Sequence, residues 1–449
     1  MKSCALGLLC CLAVLPAVAQ ETDSLPVEAA KQVLRQIVAG QFGDVEAQYD
    51  TRMSAALPAG ALAVAWGNLL EQAGSFDSVS SATASKSQSF DVVVLACKFE
   101  KKLVDVQIVI GPDGKLAGLH FFPHQEPPPP WVPPGYARPD SFAEKPLTLV
   151  NGTYELPGTL TMPKKGGSFA AVVLVQGSGP EDQDETIGPN KPFEDLAWGL
   201  ASRGIAVFRY TKRTEKYGAL SSADPAKLTV EEETMSDARA AVALVAKQAK
   251  VESKRVFLLG HSLGGYLAPR IAAGDSRIAG IVMLAANTQP IEQLLLDQVR
   301  QVVSASGAPT DDGRKQIAAV EASAKWIESP DLKIGDTVVV LGSRMPASYW
   351  LDLRTYHPID AAKALKIPIL ILQGGRDSQI APAMNFDEWK AATAGQQNVT
   401  LKLYPDLNHL FIAVAGPSQP QDYEKPGHVD EHVVADIAAW VAAGGKLSR

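Results

Sequence analysis

A serine sits between two glycines in Gly260-His261-Ser262-Leu263-Gly264. These five residues follow the apolar run Val256-Phe257-Leu258-Leu259 and precede a helix-like stretch, Tyr266 to Ala273. A strand–turn–helix of this kind holds a nucleophile in a strained backbone conformation, and the flanking glycines keep side chains out of the fold-back. Gly265 adds a third small residue where helix meets strand. A hydroxyl is a weak nucleophile near neutral pH. It needs a base to take its proton and a third group to orient that base. On a sheet that carries such a turn, the acid and then the base follow the serine along the chain.

Asp377 fits the acid. It closes Gln373-Gly374-Gly375-Arg376-Asp377 after the apolar run Ile367 to Gln373, at the carboxyl end of a strand, where such sheets place their sites. His409 fits the base, following the run Val399 to Tyr404 and the loop Pro405-Asp406-Leu407-Asn408. Only seven histidines compete. His261 adjoins the serine and points away from it, His120 and His124 lie in or beside an earlier domain, and His357 precedes the acid. His428 and His432 come after the last strand, so the strand-to-loop position selects His409. Activity is expected to fall on acidification, because only a neutral imidazole is a base.

The oxyanion of an acyl-transfer intermediate needs backbone N–H donors aimed at it. Leu263, directly after the serine, supplies one. Gly177 or Ser178, in the loop Gln176-Gly177-Ser178-Gly179-Pro180, supplies the other. The acidic run Glu181-Asp182-Gln183-Asp184-Glu185 follows and reads as solvated surface. Tyr210-Thr211-Lys212-Arg213 ends the next strand on the same side, its charges within reach of substrate or of the acidic run.

These residues require a scaffold of alternating strands and helices. From about residue 140 to 449 the pattern supplies one: opening antiparallel strands within Leu147 to Met162, then apolar strands at Ala170 to Gln176, Ile205 to Tyr210, Val256 to Leu259, Ile278 to Ala285, Ile367 to Gln373 and Val399 to Tyr404. Intervening helices, including Phe193 to Arg203 and Thr229 to Ala249, predict an α/β domain with a mostly parallel sheet covered on both faces. The rhythm breaks over about 288–364, which reads as a helical cap insertion shaping the substrate pocket. Tyr349 and Trp350 in it, with Tyr210, are the candidate substrate contacts.

Residues 20–122 read as a small α+β domain. Apolar residues recur at helical spacing from Val27 to Met53 and from Leu62 to Leu70. The period then changes to two over Phe90 to Glu100, Leu103 to Ile110 and Lys115 to Phe122, with a turn at Gly111-Pro112-Asp113-Gly114. The proline-rich segment 123–139 reads as a semi-rigid linker, or as an aromatic-bearing arm packed on a neighbouring domain. Either a dimerisation role, making a homodimer, or a pocket-covering role is expected of the first domain.

Composition narrows the partners. The chain has 449 residues and a formal charge of −7, with no basic stripe of the kind that neutralises phosphates. Nucleic acid is excluded as a partner on that ground, and no stretch after the leader is long and apolar enough for a membrane span. Residues 1–19 read as a signal peptide: Lys2, an apolar Leu6 to Leu15, then Ala17-Val18-Ala19. Three of the four cysteines lie in it, leaving Cys97 as a buried packing residue with no disulfide partner. An exported protein of a bacterial periplasm or medium is expected.

The region from about Phe142 to Ala442 resembles the α/β-hydrolases, in the branch of the dienelactone hydrolases and S9-like peptidases. The resemblance rests on Gly-Ser-Gly-Pro at 177–180, Gly-His-Ser-Leu-Gly-Gly at 260–265, Gly-Gly-Arg-Asp at 374–377 and Asn-His at 408–409. Many relatives have His-Gly where this chain has Gln176-Gly177. The preceding domain resembles the small folds of the nuclear-transport-factor-2 or cystatin kind, and a domain of unknown function found before some bacterial hydrolases. The resemblance implies a serine hydrolase with no metal and no organic cofactor, acting on small-molecule esters of short or medium acyl chain. An S9-like peptidase or a thioesterase is the alternative, and a non-catalytic binding protein on the same fold is the rival of another class.

Overall fold

The computed structural model describes residues 25–446, apart from 88–89, 125–128, 219–220 and 305–306. The leader read over 1–19 lies outside the described residues, as does part of the proline run. Packing divides the chain at Pro129 into two units.

The first unit strings four helices, α1 (Leu25–Val38), α2 (Phe42–Glu46), α3 (Thr51–Ala56) and α4 (Ala61–Ala73), before four strands. The strands β1 (Phe76–Ser87), β2 (Phe90–Phe99), β3 (Leu103–Ile110) and β4 (Leu116–Pro123) pair antiparallel in chain order. The sequence pattern misses β1, whose run of serines, threonine and alanines offers little apolar alternation. It forms as an edge strand on the strongly apolar β2, with irregularities near Phe76 and Val79; the partner, rather than its own propensity, decides its state. Cys97 is buried on β2, as expected, and burial pushes its thiol up to about 12.

The second unit is built on eight strands. Antiparallel β5 (Phe142–Pro146) and β8 (Gly158–Pro163) open it, while β6 (Leu149–Asn151) and β7 (Tyr154–Leu156) form a separate hairpin between them. Six parallel strands follow in the sheet: β9 (Phe169–Val175), β10 (Ala206–Tyr210), β11 (Val251–His261), β12 (Ile278–Leu284), then, after a hairpin of β13 (Thr337–Val340) and β14 (Ser343–Pro346), β15 (Ile369–Gly374) and β16 (Val399–Tyr404). Their spatial order is β16-β15-β12-β11-β9-β10-β8-β5.

Alternate residues of β9 enter two different cores. Ala171, Val173 and Val175 join the one that holds Tyr266 and Leu267, and Ala170, Val172 and Leu174 join the one that holds Phe193 and Trp440. A sheet buried on both faces explains the unbroken apolar run. The helices on it are α5 (Pro192–Ala201), α6 (Arg213–Tyr217), α7 (Ser236–Val245), α8 (Leu263–Ala273), α9 (Ile291–Ser304), α10 (Asp311–Glu328), α11 (Ala347–Arg354), α12 (Pro358–Ala364), α13 (Pro382–Ala392) and α14 (Glu431–Ala442). The single helix expected over Thr229 to Ala249 is instead a π turn, Glu231–Met235, leading into α7.

The later half of the proline run is an arm packed on this second unit. Trp131 Nε1 donates to Asp195 Oδ1 at 3.0 Å, Tyr136 Oη to the Val429 carbonyl at 2.8 Å, and an Arg138 guanidinium N–H to the Ser202 carbonyl at 2.6 Å. Aromatic surface that a free spacer would leave in water is covered this way. Among the described residues no helix is long and apolar enough to cross a membrane.

Candidate active site

The chain leaves β9 through α5 to one side of the sheet and leaves β11 through α8 to the other. Neighbouring parallel strands whose connections diverge open a crevice at their carboxyl ends. Gly260 of β11 is in register with Val175 of β9, so the loops carrying Ser262 and Gly177 emerge side by side. Ser262 has φ 53° and ψ −117°, a left-handed conformation that a β-carbon makes costly. The turn closes only because its glycines are bare. A β-carbon at Gly260 would sit 2.1 Å from the Gly264 carbonyl oxygen, and one at Gly264 would sit 2.3 Å from that of Val175. Leu263 opens α8, where the first amides have no carbonyl partner within the helix.

The loops after β15 and β16 meet in the same way. A β-carbon at Gly374 would lie 2.4 Å from the Asn408 carbonyl oxygen, so glycine lets the acid loop press against the base loop. His409 Nδ1 lies 2.8 Å from Asp377 Oδ2, both side chains buried. Gln373 Nε2 donates to the same oxygen at 2.9 Å, and the Gln379 and Ile380 amides donate to Oδ1 at 2.8 Å each. Four donors fix the carboxylate, and its grip on Nδ1–H leaves Nε2 as the basic nitrogen of His409. Of the competing histidines, His428 pairs with Asp195 at 3.0 Å and His432 with Asp430 at 2.9 Å at the start of α14. An imidazole oriented like that of His409 can carry a proton from a nucleophile to a leaving group.

Two expectations for the first loop need correction. The Gly177 N–H donates to Glu185 Oε1 at 2.6 Å and is not free for an oxyanion. The Ser178 N–H, on an exposed residue, makes no hydrogen bond among the described residues and remains the candidate donor beside Leu263. The acidic run is not solvated surface either: Glu181, Asp184 and Glu185 are buried. Each engaged carboxylate has found a partner distant in sequence or a local amide. Asp184 takes Arg209 Nε at 2.6 Å and Lys191 at 3.1 Å, and Asp182 Oδ1 accepts the Asp184 and Thr186 amides.

Glu185 Oε2 lies 2.9 Å from His261 Nδ1, at ion-pair distance although the two atoms are out of line for a full hydrogen bond. His261 Nε2 donates to the His409 carbonyl at 3.0 Å. One ring nitrogen thus faces a carbonyl and the other a carboxylate, so both do best as N–H donors. Burial opposes the imidazolium, but Glu185 and the His409 carbonyl together hold His261 above its ordinary value. The His261 ring lies 4.6 Å from that of His409, centroid to centroid, and braces the base loop.

For Glu181 the help is outweighed: nearby Lys212 favours its charge, but burial and Glu185 oppose it more strongly. Burial, then the neighbouring Glu185 carboxylate, pushes it up to about 9 from an ordinary 4.5. Between those values the unfolded chain has lost a proton that the folded chain keeps, so stability falls as the pH rises through the window. Glu181→Gln is expected to raise the thermal midpoint at pH 8–9 by at least ~2 °C and to leave it unchanged at pH 4. Melting curves across pH check this; wild-type and variant midpoints that track in parallel would contradict it.

The candidate substrate contacts fare differently. Tyr210, Tyr349 and Trp350 are all buried, in the core cluster that packs on one face of the sheet. Tyr210 stacks on Phe208, its neighbour on the same face of β10, and the Tyr349 hydroxyl donates to Glu233 Oε2 at 2.8 Å. Large aromatics adjoining a site pattern signal burial as readily as binding. A cavity of about 460 Å³ opens beside the acid loop, lined by Gln301 of α9 and by Gly375, Asp377, Ser378, Pro405 and Pro417. The side-chain amide of Gln298, also on α9, donates to the Gln379 carbonyl at 3.0 Å, which ties the insertion to that loop.

A family described as serine aminopeptidase, S33, matches residues 191–413, and one described as a protein of unknown function, DUF3887, matches residues 30–119. Esterase EstD of Thermotoga maritima is 39% identical over 391 residues, which cover 87% of this chain and 89% of that protein. Among solved structures, Est1E from Butyrivibrio proteoclasticus is similar with a TM-score of 0.44 and 15% identity, over 66% of this chain and 99% of that one. An esterase of Pyrococcus furiosus has a TM-score of 0.43 and 15% identity, over 72% and 99%. With 39% identity along most of both chains, the protein belongs to the family of EstD: it is an α/β-hydrolase, an enzyme whose hydrolase domain follows an N-terminal domain of unknown function.

Proposed function

We propose that the protein is an exported serine carboxylesterase that cleaves short or medium acyl esters through an acyl-enzyme on Ser262. His409 Nε2 takes the Ser262 hydroxyl proton as the oxygen bonds to the ester carbonyl carbon. The Leu263 and Ser178 N–H groups hold the oxyanion. His409 then gives the proton to the departing alkoxide, the carbon–oxygen bond breaks, and water activated by the same imidazole releases the acid. The observation that carries this reading is the 2.8 Å contact of His409 with a four-donor Asp377, at the same strand ends as the left-handed turn of Ser262. The likeness to EstD supports an ester substrate. Export rests on the leader pattern at 1–19.

A second reading, a serine peptidase, is favoured by the description of the matching family. A fluorophosphonate probe read by intact mass, followed by a panel of acyl-nitrophenyl esters, acyl thioesters and aminoacyl anilides, separates the readings. One adduct and turnover of nitrophenyl esters of two to eight carbons is the expected result. Turnover confined to anilides would establish the peptidase, and no adduct would favour a binding protein.

A further inference from the structure

We propose that Lys212 is a positioning residue for the oxyanion hole: its buried ammonium holds the Gly177–Ser178 peptide so that the Ser178 N–H faces the substrate. The proposal rests on the reading of Ser178 as an oxyanion donor. Lys212 follows β10 and is 2% exposed. Its Nζ donates to the Gly177 carbonyl at 2.9 Å and lies 2.9 Å from Glu233 Oε1. In a trans peptide the carbonyl of one residue and the N–H of the next point in opposite directions from one plane. Anchoring the Gly177 oxygen from behind therefore sets the direction of the Ser178 N–H in front. A cation on that oxygen also draws electron density along the amide, which makes the N–H a stronger donor.

The anchor is itself held. Glu233 projects from the π turn ahead of α7, an irregularity often found at functional positions. Its second oxygen accepts the Tyr349 hydroxyl from α11 at 2.8 Å. Gly177 is gripped on its other side too, where its N–H meets Glu185, which faces His261. A β-carbon at 177 would lie 3.3 Å from that of Ser262, so a small shift of this loop is felt at the serine. The buried Lys212–Glu233 ion pair and the buried His261–Glu185 contact thus bracket one glycine. Lys212 is aimed at its carbonyl and Glu185 at its N–H. Preorganised dipoles of this sort act where charge develops, and so lower the barrier without tightening ground-state binding.

The test compares wild type, Lys212→Met, the double variant Lys212→Met/Glu233→Gln and Ser262→Ala. The double variant leaves no buried charge unpaired, and its glutamine still accepts the Tyr349 hydroxyl, so it decides the question if the single variant fails to fold. Read for each are kcat and KM on p-nitrophenyl butyrate, and the inhibition constant of a trifluoromethyl ketone of matching chain, whose serine adduct places an alkoxide in the hole. The expected result is a fall in kcat of about 10- to 100-fold with KM nearly unchanged. The inhibition constant should rise by the same factor as kcat/KM falls. A merely structural residue would not link those two numbers. An unchanged kcat in a folded variant, or lost turnover with undiminished ketone affinity, would overturn the role of Lys212 alone. Hydrolysis that persists in Ser262→Ala would overturn it together with the esterase reading.

Discussion

On the proposed mechanism, Ser262→Ala is expected to lower kcat for a p-nitrophenyl ester by about 10⁴-fold or more while leaving the fold intact. The size of the loss follows from the arrangement. In that mechanism His409 is left with no nucleophile to deprotonate, and what would survive is the contribution of binding and the oxyanion donors to direct attack by water. The fold survives because Ser262 is only partly buried, and its backbone, not its side chain, carries the turn: its N–H donates to the Leu284 carbonyl and its carbonyl accepts from Tyr266. Stopped-flow and steady-state assays on wild type and variant, with circular dichroism as the control, check the prediction. Undiminished hydrolysis in a folded variant would place the chemistry on another residue.

The second large effect concerns stability. Gly264→Ala and Gly260→Ala each drive a methyl group into backbone: 2.3 Å from the Val175 oxygen in the first case and 2.1 Å from the Gly264 oxygen in the second. Backbone at the meeting of β9, β11 and α8 cannot step aside as a flexible side chain would. A loss of about 4 kcal/mol or more is expected for each, in the range reserved for severe core clashes. Gly167→Ala is the matched control, since nothing lies within 4 Å of its β-carbon position. It should change stability by less than about 0.5 kcal/mol. Urea denaturation measures all three. Near-native midpoints for the 260 and 264 variants would mean that the elbow is looser than its geometry implies.

The candidate site was legible in the sequence to the extent that its signals are local. A serine flanked by glycines between a strand and a helix, an Asp after one apolar strand and a His after the next are patterns of neighbours, and steric rules act on neighbours. The two-unit organisation and the parallel sheet follow from composition and period in the same way. β1 was not legible, because a serine-rich strand owes its state to the strand it pairs with.

The remainder was decided by tertiary structure. No local rule reveals that Glu185 takes the amide of Gly177, that His261 bridges Glu185 to the His409 carbonyl 148 residues later, or that Tyr349 steadies Glu233 from 116 residues away. An acidic run looks solvated until Arg209 and Lys191 are folded against it. That Tyr210, Tyr349 and Trp350 are buried in one core cluster shows only once the sheet and its helices have packed. The physical reason is common to all of these. Whether a polar or aromatic side chain is wet, buried, paired or free depends on which distant groups the packed chain brings within about 3 Å. The order Ser262, Asp377, His409 is written in the chain; which amide is left to face an oxyanion is settled only when the loops meet.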